Sequence, residues 1–280
     1  MKKKKESLKK QIDTYKEFKK YYLEIIRDLG INKSKDIEAR NLLSSIIRTK
    51  QEYDLEKKLK SFKEEISSKR NIFIYGCGPS LIESVNYFIK EINLVTNENI
   101  INLAADGAST CLSEKGVPIY AVFTDLDGVT KKEVELARFL VVLGHGNNIK
   151  KLEYFHDEIV KARNLIGTTQ AKPLDNLINA GGFTDGDRIL YFLKTLLLPH
   201  HEIYLIGMDF QNIVGKYSKP EMMTNQMAST IKQKKLKHAI ILIEKLLNCL
   251  NNNIFFVNSP RSSLEFRYLS LEDTKKRIIS

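Results

Sequence analysis

Apolar residues recur along this chain with two different periods, and the change from one to the other falls near residue 71. Before it, Leu8, Ile12, Tyr15, Tyr22, Ile26 and Leu29 stand three, four or seven apart. That is the stripe of an amphipathic helix over residues 6–29, and Gly30 ends it. Two further stripes, Ile37, Leu42, Leu43, Ile46 and Ile47, then Leu55, Leu59, Phe62 and Ile66, contain neither Gly nor Pro. Residues 1–70 are therefore expected to form an accessory helical subdomain that serves packing or a homodimer contact. Residues 71–280 are expected to form the catalytic domain.

From Asn71 onward the apolar runs shorten. Ile72–Tyr75, Ile100–Ala104, Ile119–Phe123, Phe139–Leu143, Leu165–Ile166, Leu177–Ala180, Ile203–Ile206 and Ile254–Val257 alternate with helical segments. The alternation predicts an α/β fold, a mostly parallel sheet with helices on both faces. Ligands of such sheets bind beyond the carboxyl ends of the strands, and there this chain concentrates its polar residues. Thr124-Asp-Leu-Asp-Gly128 is the clearest case. Asp125 and Asp127, two apart on leaving a strand, are expected to project to one side and suit a hard cation such as Mg²⁺. Taken singly, the pair reads as a turn before a helix at Thr130–Ala137. Six polar loops at equivalent strand ends favour one phosphate and metal crevice instead.

Gly76-Cys-Gly-Pro-Ser80 is a glycine turn between a strand and a helix, with Ser80 as the expected N-cap. It places Gly76, Gly78, Pro79 and Ser80 where a phosphate can bind. The signal is unspecific, because Leu81 stands where a dinucleotide fingerprint has its third Gly and the Lys-Ser/Thr of a P-loop is missing. Lys232, Lys234, Lys235 and Lys237 open a long helix reaching Leu250, and Lys235 is the one expected to reach a phosphate. Ser259-Pro-Arg-Ser-Ser263 reads as a loop or cap, and His156, His200, His201 and His238 read as surface residues.

Composition narrows the class. With 280 residues and 42% hydrophobic content, the chain has the material for one large domain, or one large and one small. No apolar run approaches the ~18 residues of a membrane span. The basic start, Met1–Lys5, leads into more charge, so a cytoplasmic protein is expected. Cys77, Cys111 and Cys249 are too few and too scattered for a disulfide framework, and buried small hydrophobes are expected. The net charge of +11 is nearly all N-terminal: residues 1–70 hold 21 Lys/Arg against 12 Asp/Glu, the remainder 24 against 22. Mixed with acids along helices, it reads as a solvated face, and no nucleic-acid partner is expected.

Taken in order, Gly76-Cys-Gly-Pro-Ser-Leu81, Ala105-Asp-Gly-Ala108, Thr124-Asp-Leu-Asp-Gly128, His145-Gly-Asn-Asn148, Gly167-Thr-Thr-Gln170, Gly181-Gly-Phe-Thr-Asp-Gly-Asp-Arg188 and Gly207-Met-Asp-Phe210 carry a family likeness. Over residues 71–250 the chain resembles the archaeal 6-hydroxymethyl-7,8-dihydropterin pyrophosphokinases, the MptE-like family. The resemblance implies a fold akin to the thiamine pyrophosphokinase catalytic domain. It also implies transfer of diphosphate from ATP, with Mg²⁺, to the pterin hydroxymethyl group in tetrahydromethanopterin or folate biosynthesis. The family's third loop reads His-Gly-Asp-Asn, whereas position 147 here is Asn, which can offer an oxygen but no charge.

In that light Asp125 and Asp127 are expected to hold Mg²⁺, with Asp106 as a further ligand or an orienting neighbour. Gly181, Gly182 and the Thr184–Arg188 turn would meet a phosphate or ribose, with Asp185 and Asp187 on metal or substrate and Arg188 countering phosphate charge. His145 would polarise substrate or leaving group. Asn148, Thr168, Thr169 and Gln170 join the nucleotide-binding set. Asn179, Gln170, Asp209, Phe183 and Phe210 are candidates for the flat pterin. Two other readings stay open: a thiamine pyrophosphokinase or an enzyme related to the similar domain of flagellin glycosyltransferases, and a non-catalytic nucleotide-binding scaffold with a basic arm.

Overall fold

The computed structural model describes residues 6–280, so the basic Met1–Lys5 start lies outside the described residues. Its strands are β1 (Asn71–Tyr75), β2 (Ile100–Ala105), β3 (Ala121–Thr124), β4 (Phe139–Gly144), β5 (Leu165–Thr169), β6 (Glu202–Ile206), β7 (Ile213–Val214), β8 (Gln226–Met227), β9 (Asn253–Val257) and β10 (Arg267–Leu269). Eight of them form one sheet in the order β10-β9-β6-β1-β2-β3-β4-β5, with every pairing parallel. β7 and β8 make a separate antiparallel hairpin. The helices are α1 (Leu8–Ile12), α2 (Tyr15–Asp28), α3 (Lys33–Arg48), α4 (Leu55–Ser67), α5 (Leu81–Ile92), α6 (Ala108–Glu114), α7 (Lys131–Leu136), α8 (Ile149–Tyr154), α9 (His156–Lys161), α10 (Asp185–Leu193), α11 (Thr230–Leu247) and α12 (Leu271–Ile279).

Successive strand residues point to opposite faces, and each face is the floor of its own core. Phe73, Tyr75, Val122, Leu140 and Val142 meet Leu43 and Ile47 of α3, Val85 and Phe88 of α5 and Leu112 of α6. Ile72, Ile74, Phe123, Phe139 and Val141 meet Leu59, Phe62 and Ile66 of α4 and Leu190 and Phe192 of α10. Phe62 is the hub of the second core. Its ring centroid lies 5.0 Å from Phe139 and 5.1 Å from Phe192, both edge-on, the arrangement aromatic quadrupoles favour. No described helix is long and apolar enough to cross a membrane.

The α/β architecture follows the sequence expectation, and several details differ from it. The helix expected over residues 6–29 breaks at Asp13 and Thr14, although neither Gly nor Pro is present. Thr14 reaches across the chain instead: its N–H donates to Asn179 O at 2.8 Å and its hydroxyl to Ala180 O at 2.7 Å. Leu177–Ala180 is not a strand but a single bridge, Ile178 to Thr168. The Asn179 side chain occupies local carbonyls, donating to Gln170 O and Ala171 O, and so ends the ladder. His201 is buried, its imidazole between Leu198 N and Ile66 O, and Cys249 is exposed. Ser80 makes no side-chain cap, because its hydroxyl turns to Asp209. Within the N-terminal helical region, α3 contributes to one core of the sheet and α1 and α4 to the other, and α2 forms a third cluster with Phe183 and Leu242.

From β1 the sheet grows through β2 to β5 on one side and through β6 to β10 on the other. The reversal opens a crevice between the loops that follow β1 and β6. In parallel sheets this switch point is where ligands bind.

Candidate active site

Three carboxylates meet at this crevice. Asp106 follows β2, Asp125 follows β3, and Asp185 opens α10; one oxygen from each lies within 4.8 Å of the other two. The loops are shaped for it. Asp106 adopts a left-handed backbone (φ 48°), as does Leu126 (φ 69°), a conformation that costs a non-glycine residue energy. Thr124 bridges the two turns, donating its hydroxyl to Asp106 Oδ1 at 2.6 Å and accepting from Leu126 N at 2.7 Å. Gly128 lies so close that a Cβ there would strike Asp106 Oδ2.

Asp125 is fixed from two sides. His145 Nε2 lies 3.0 Å from its Oδ2, and Asp127 N donates to its Oδ1 at 3.2 Å. Burial raises the cost of ionising Asp125, but His145, the Asp127 N–H and the Lys235 charge outweigh it and hold this carboxyl below its usual range. Asp106 goes the other way: burial, then the charges of Asp125 and Asp185, push it well up. Burial, then the Asp125 charge, pushes Asp185 up to about 7. Crowding thus disfavours the charged forms of Asp106 and Asp185, which a bound cation would favour, and hard oxygen donors suit Mg²⁺. The residues present therefore fit such an ion. On the facing wall, α11 brings Lys232 to the crevice and half-buries Lys235, whose pKa burial and then Lys232 draw down against the pull of Asp125 and Asp185.

The profile of the family described as 6-hydroxymethylpterin diphosphokinase MptE-like matches residues 41–215. A 6-hydroxymethyl-7,8-dihydropterin pyrophosphokinase of Pyrococcus furiosus is 36% identical over 238 residues, 84% of this chain and 94% of that one. The protein of the same name from Methanocaldococcus jannaschii is 33% identical over 244 residues, 82% and 95% of the two chains. One from Methanothermobacter thermautotrophicus is 33% identical over 231 residues. The chain belongs to the MptE-like family. The relatives carry the name of a diphosphotransferase, and this chain is an enzyme of that class.

The other expected site residues of this MptE-like chain divide into those that line the crevice and those that hold the loops. Asp127 lies outside the acidic group. Leu126 turns the chain, and the Asp127 carboxylate, 48% exposed, pairs with Lys219 at 3.2 Å. Asp187 is also apart, because its Oδ1 accepts from Phe183 N at 2.7 Å and Thr184 N at 2.9 Å and caps α10. Of the N–H groups expected for phosphate, those of Thr184 and of Gly181, the latter bound to Asn179 Oδ1, are thus taken up inside the fold. Gly181 and Gly182 supply the positive φ of that turn, 88° and 76°. Arg188 is buried and donates from Nη2 to Thr168 Oγ1 at 2.9 Å, so it faces the strand rather than solvent; its Nη1 has no hydrogen-bond partner among the described residues.

Asn148 ties the third loop, donating to Asp125 O and Leu143 O and accepting from His145 N, while Asn147 is exposed. Thr168 donates to Val142 O, Thr169 accepts from Ala171 N, and Gln170 donates to Phe183 O. Gly76 and Gly78 line the crevice, with Pro79 and Ser80 completing their turn. Asp209 lines it too, accepting from Ser80 N at 2.7 Å and Ser80 Oγ at 2.9 Å, with Phe210 beside it. Of the candidates for a flat acceptor, Asn179 and Gln170 are used internally and Phe183 belongs to the α2 cluster. Ser262 and Ser263 donate their N–H groups to Tyr268, and neither lines the crevice.

Sequence reasoning passed over the segment carrying β7 and β8. Gly215 N donates to Cys77 O at 2.9 Å, and Ile213, Val214 and Ser218 close one side of the crevice. It also passed over Asp36, which accepts from Gly146 N. One signal was available: Asp36 continues the apolar stripe of Ala39, Leu43 and Ile47, and an acid on a buried stripe needs a partner.

Proposed function

We propose that this chain moves the terminal diphosphate of ATP to the hydroxymethyl oxygen of 6-hydroxymethyl-7,8-dihydropterin and releases AMP, a step in making a tetrahydromethanopterin or folate cofactor. The single observation that carries the reading is the Asp106, Asp125 and Asp185 group facing Lys232 and Lys235 at the sheet's switch point. Family membership and the relatives' printed activity support the acceptor.

The hydroxymethyl oxygen attacks the β-phosphorus, and the bond from that phosphorus to the oxygen bridging the α-phosphorus breaks. Such transfers need positioning and charge stabilisation more than covalent chemistry from the protein. Asp106, Asp125 and Asp185 would hold Mg²⁺, which would supply positive charge to stabilise the transferring phosphates. Lys235 and Lys232 face the same phosphates from α11, and a half-buried ammonium interacts more strongly than a solvated one. His145 keeps Asp125 ionised and oriented. Each Asp209 oxygen accepts one bond from Ser80 and retains a lone pair, so the carboxylate can also receive the donor edge of a pterin, with Phe210 as an apolar wall. Incubation with ATP, Mg²⁺ and either the pterin or thiamine tests the reading: AMP should form with the pterin alone.

A further inference from the structure

The carboxylate of Asp36, on α3, is 1% exposed and lies far in sequence from every loop of the crevice. Its Oδ1 accepts from Gly146 N at 2.7 Å, and its Oδ2 accepts the Tyr22 hydroxyl of α2 at 2.5 Å. Tyr22 is equally buried, in the α2 cluster with Phe18 and Ile26. A carboxylate is costly to bury, and it is retained where its short, charge-assisted hydrogen bonds fix something.

What it fixes is the 144–148 loop. Gly146 sits between His145, whose Nε2 is 3.0 Å from Asp125 Oδ2, and Asn148, which donates to the Asp125 carbonyl at 2.8 Å. Asn148 holds the loop from the sheet side and Asp36 from the helix side. The approach is close: a Cβ on Gly146 would lie 2.6 Å from the Lys35 Cβ, and one on Gly144 3.0 Å from the Ala39 carbonyl oxygen. Both Tyr22 and Asp36 precede the segment matched by the family profile, residues 41–215.

We infer that Asp36 is a positioning residue for the reaction. With Tyr22 it locks Gly146 so that His145 is aimed at Asp125, and the N-terminal helices thereby complete the site they pack beside. The inference rests on the proposed diphosphate transfer for its kinetic consequence, but its geometric content is separate.

The test uses the full chain carrying Asp36→Ala, Asp36→Asn, Tyr22→Phe or Gly146→Ala, each checked for folding by near-ultraviolet circular dichroism. Asn can accept from Gly146 N through its amide oxygen and donate its amide to the Tyr22 oxygen, so it serves as the conservative rescue. Three quantities are read: Mn²⁺ affinity without nucleotide, hydrogen exchange at the Gly146 amide, and kcat and KM for ATP. Groups that orient a metal ligand are worth about 10–100-fold in affinity or activity. Asp36→Ala and Gly146→Ala should lose about that factor in kcat, with KM for ATP changed less than about 3-fold, and should weaken Mn²⁺ binding about 10-fold. Gly146 exchange should accelerate in Asp36→Ala, and Asp36→Asn should recover most of each loss. If wild-type chain forms no AMP from the pterin yet Mn²⁺ affinity and Gly146 exchange shift as stated, the positioning role stands and the proposed function falls. If AMP forms and folded Asp36→Ala keeps wild-type kcat and Mn²⁺ affinity, or if Asp36→Asn is as impaired as Asp36→Ala, the positioning role is overturned.

Discussion

Lys219 Nζ lies 3.2 Å from Asp127 Oδ2, so the second acid of the Asp-Leu-Asp turn is held by the segment between β7 and β8 and not by the acidic group. The two aspartates of one turn therefore differ in consequence. Asp125→Asn and Asp185→Asn should each lower kcat by about 100-fold or more, since both remove a charged oxygen from the proposed cation site. The melting temperature should stay level or rise in Asp185→Asn, whose charged form burial and the Asp125 charge disfavour, and should not rise in Asp125→Asn, whose charged form His145 and the Asp127 N–H favour. Asp127→Asn should cost less than about 10-fold, because its partner is a half-exposed lysine. Parallel turnover and melting measurements on the three variants check this, and an Asp127 effect equal to that of Asp185 would contradict it.

The pH dependence follows from Asp185, whose carboxyl is raised to about 7 by burial and then by the Asp125 charge. Asp187, buried under the turn it caps, is likewise raised to about 7. A native carboxyl that holds its proton up to pH 7 binds more protons than the unfolded chain between pH ~4 and 7, so metal-free stability falls as pH rises through that window. Mg²⁺ must displace the Asp185 proton, and its affinity should therefore climb from pH 6 to pH 8. Calorimetry in buffers of different ionisation enthalpy should detect proton release at pH 6.5. Mg²⁺ should raise the melting temperature more at pH 8 than at pH 6.

Much of this fold is written in the apolar pattern. Ile72–Tyr75 and Phe139–Leu143 declare buried parallel strands, and the polar residues at their ends declare the crevice. Leu55, Leu59, Phe62 and Ile66 show a helix stripe but not what it covers, because periodicity reveals a buried face and not its partner. The break at Thr14 has a weak local signal, the Thr14-Tyr-Lys-Glu17 spacing of a helix start with Asp13 Oδ1 accepting from Tyr15 N, but the partners that hold it are Asn179 and Ala180, 165 and 166 residues away in the chain. Asp125 and Asp106 were readable as strand-end acids. That Asp185 closes the group was not, whereas Thr184-Asp-Gly-Asp187 has the spacing of a capping box, which marks Asp187 as the acid that caps its own helix.

Phe62 tests how far the N-terminal helices are independent of the sheet. Fully buried against Tyr120, Phe139 and Phe192, it should cost about 3–5 kcal/mol on replacement by Ala. Denaturant unfolding should then show one transition at lower midpoint for the whole chain. Two separate transitions would mean that residues 1–70 fold as a unit of their own.

Asp209 separates a pocket role from a turn role. Asp209→Ala leaves Ser80 N without its acceptor and should cost about 1–3 kcal/mol. If the carboxylate also meets the acceptor, KM for the pterin should rise several-fold more than KM for ATP. A stability loss with both KM values unchanged would confine Asp209 to holding the Gly76–Ser80 turn.

The central claim is tested most directly by following nucleotide products when wild-type chain is mixed with ATP, Mg²⁺ and 6-hydroxymethyl-7,8-dihydropterin. AMP and a pterin diphosphate ester should appear in equal amounts, with no AMP when thiamine replaces the pterin. Formation of ADP in place of AMP, or no nucleotide turnover with the pterin, would contradict it.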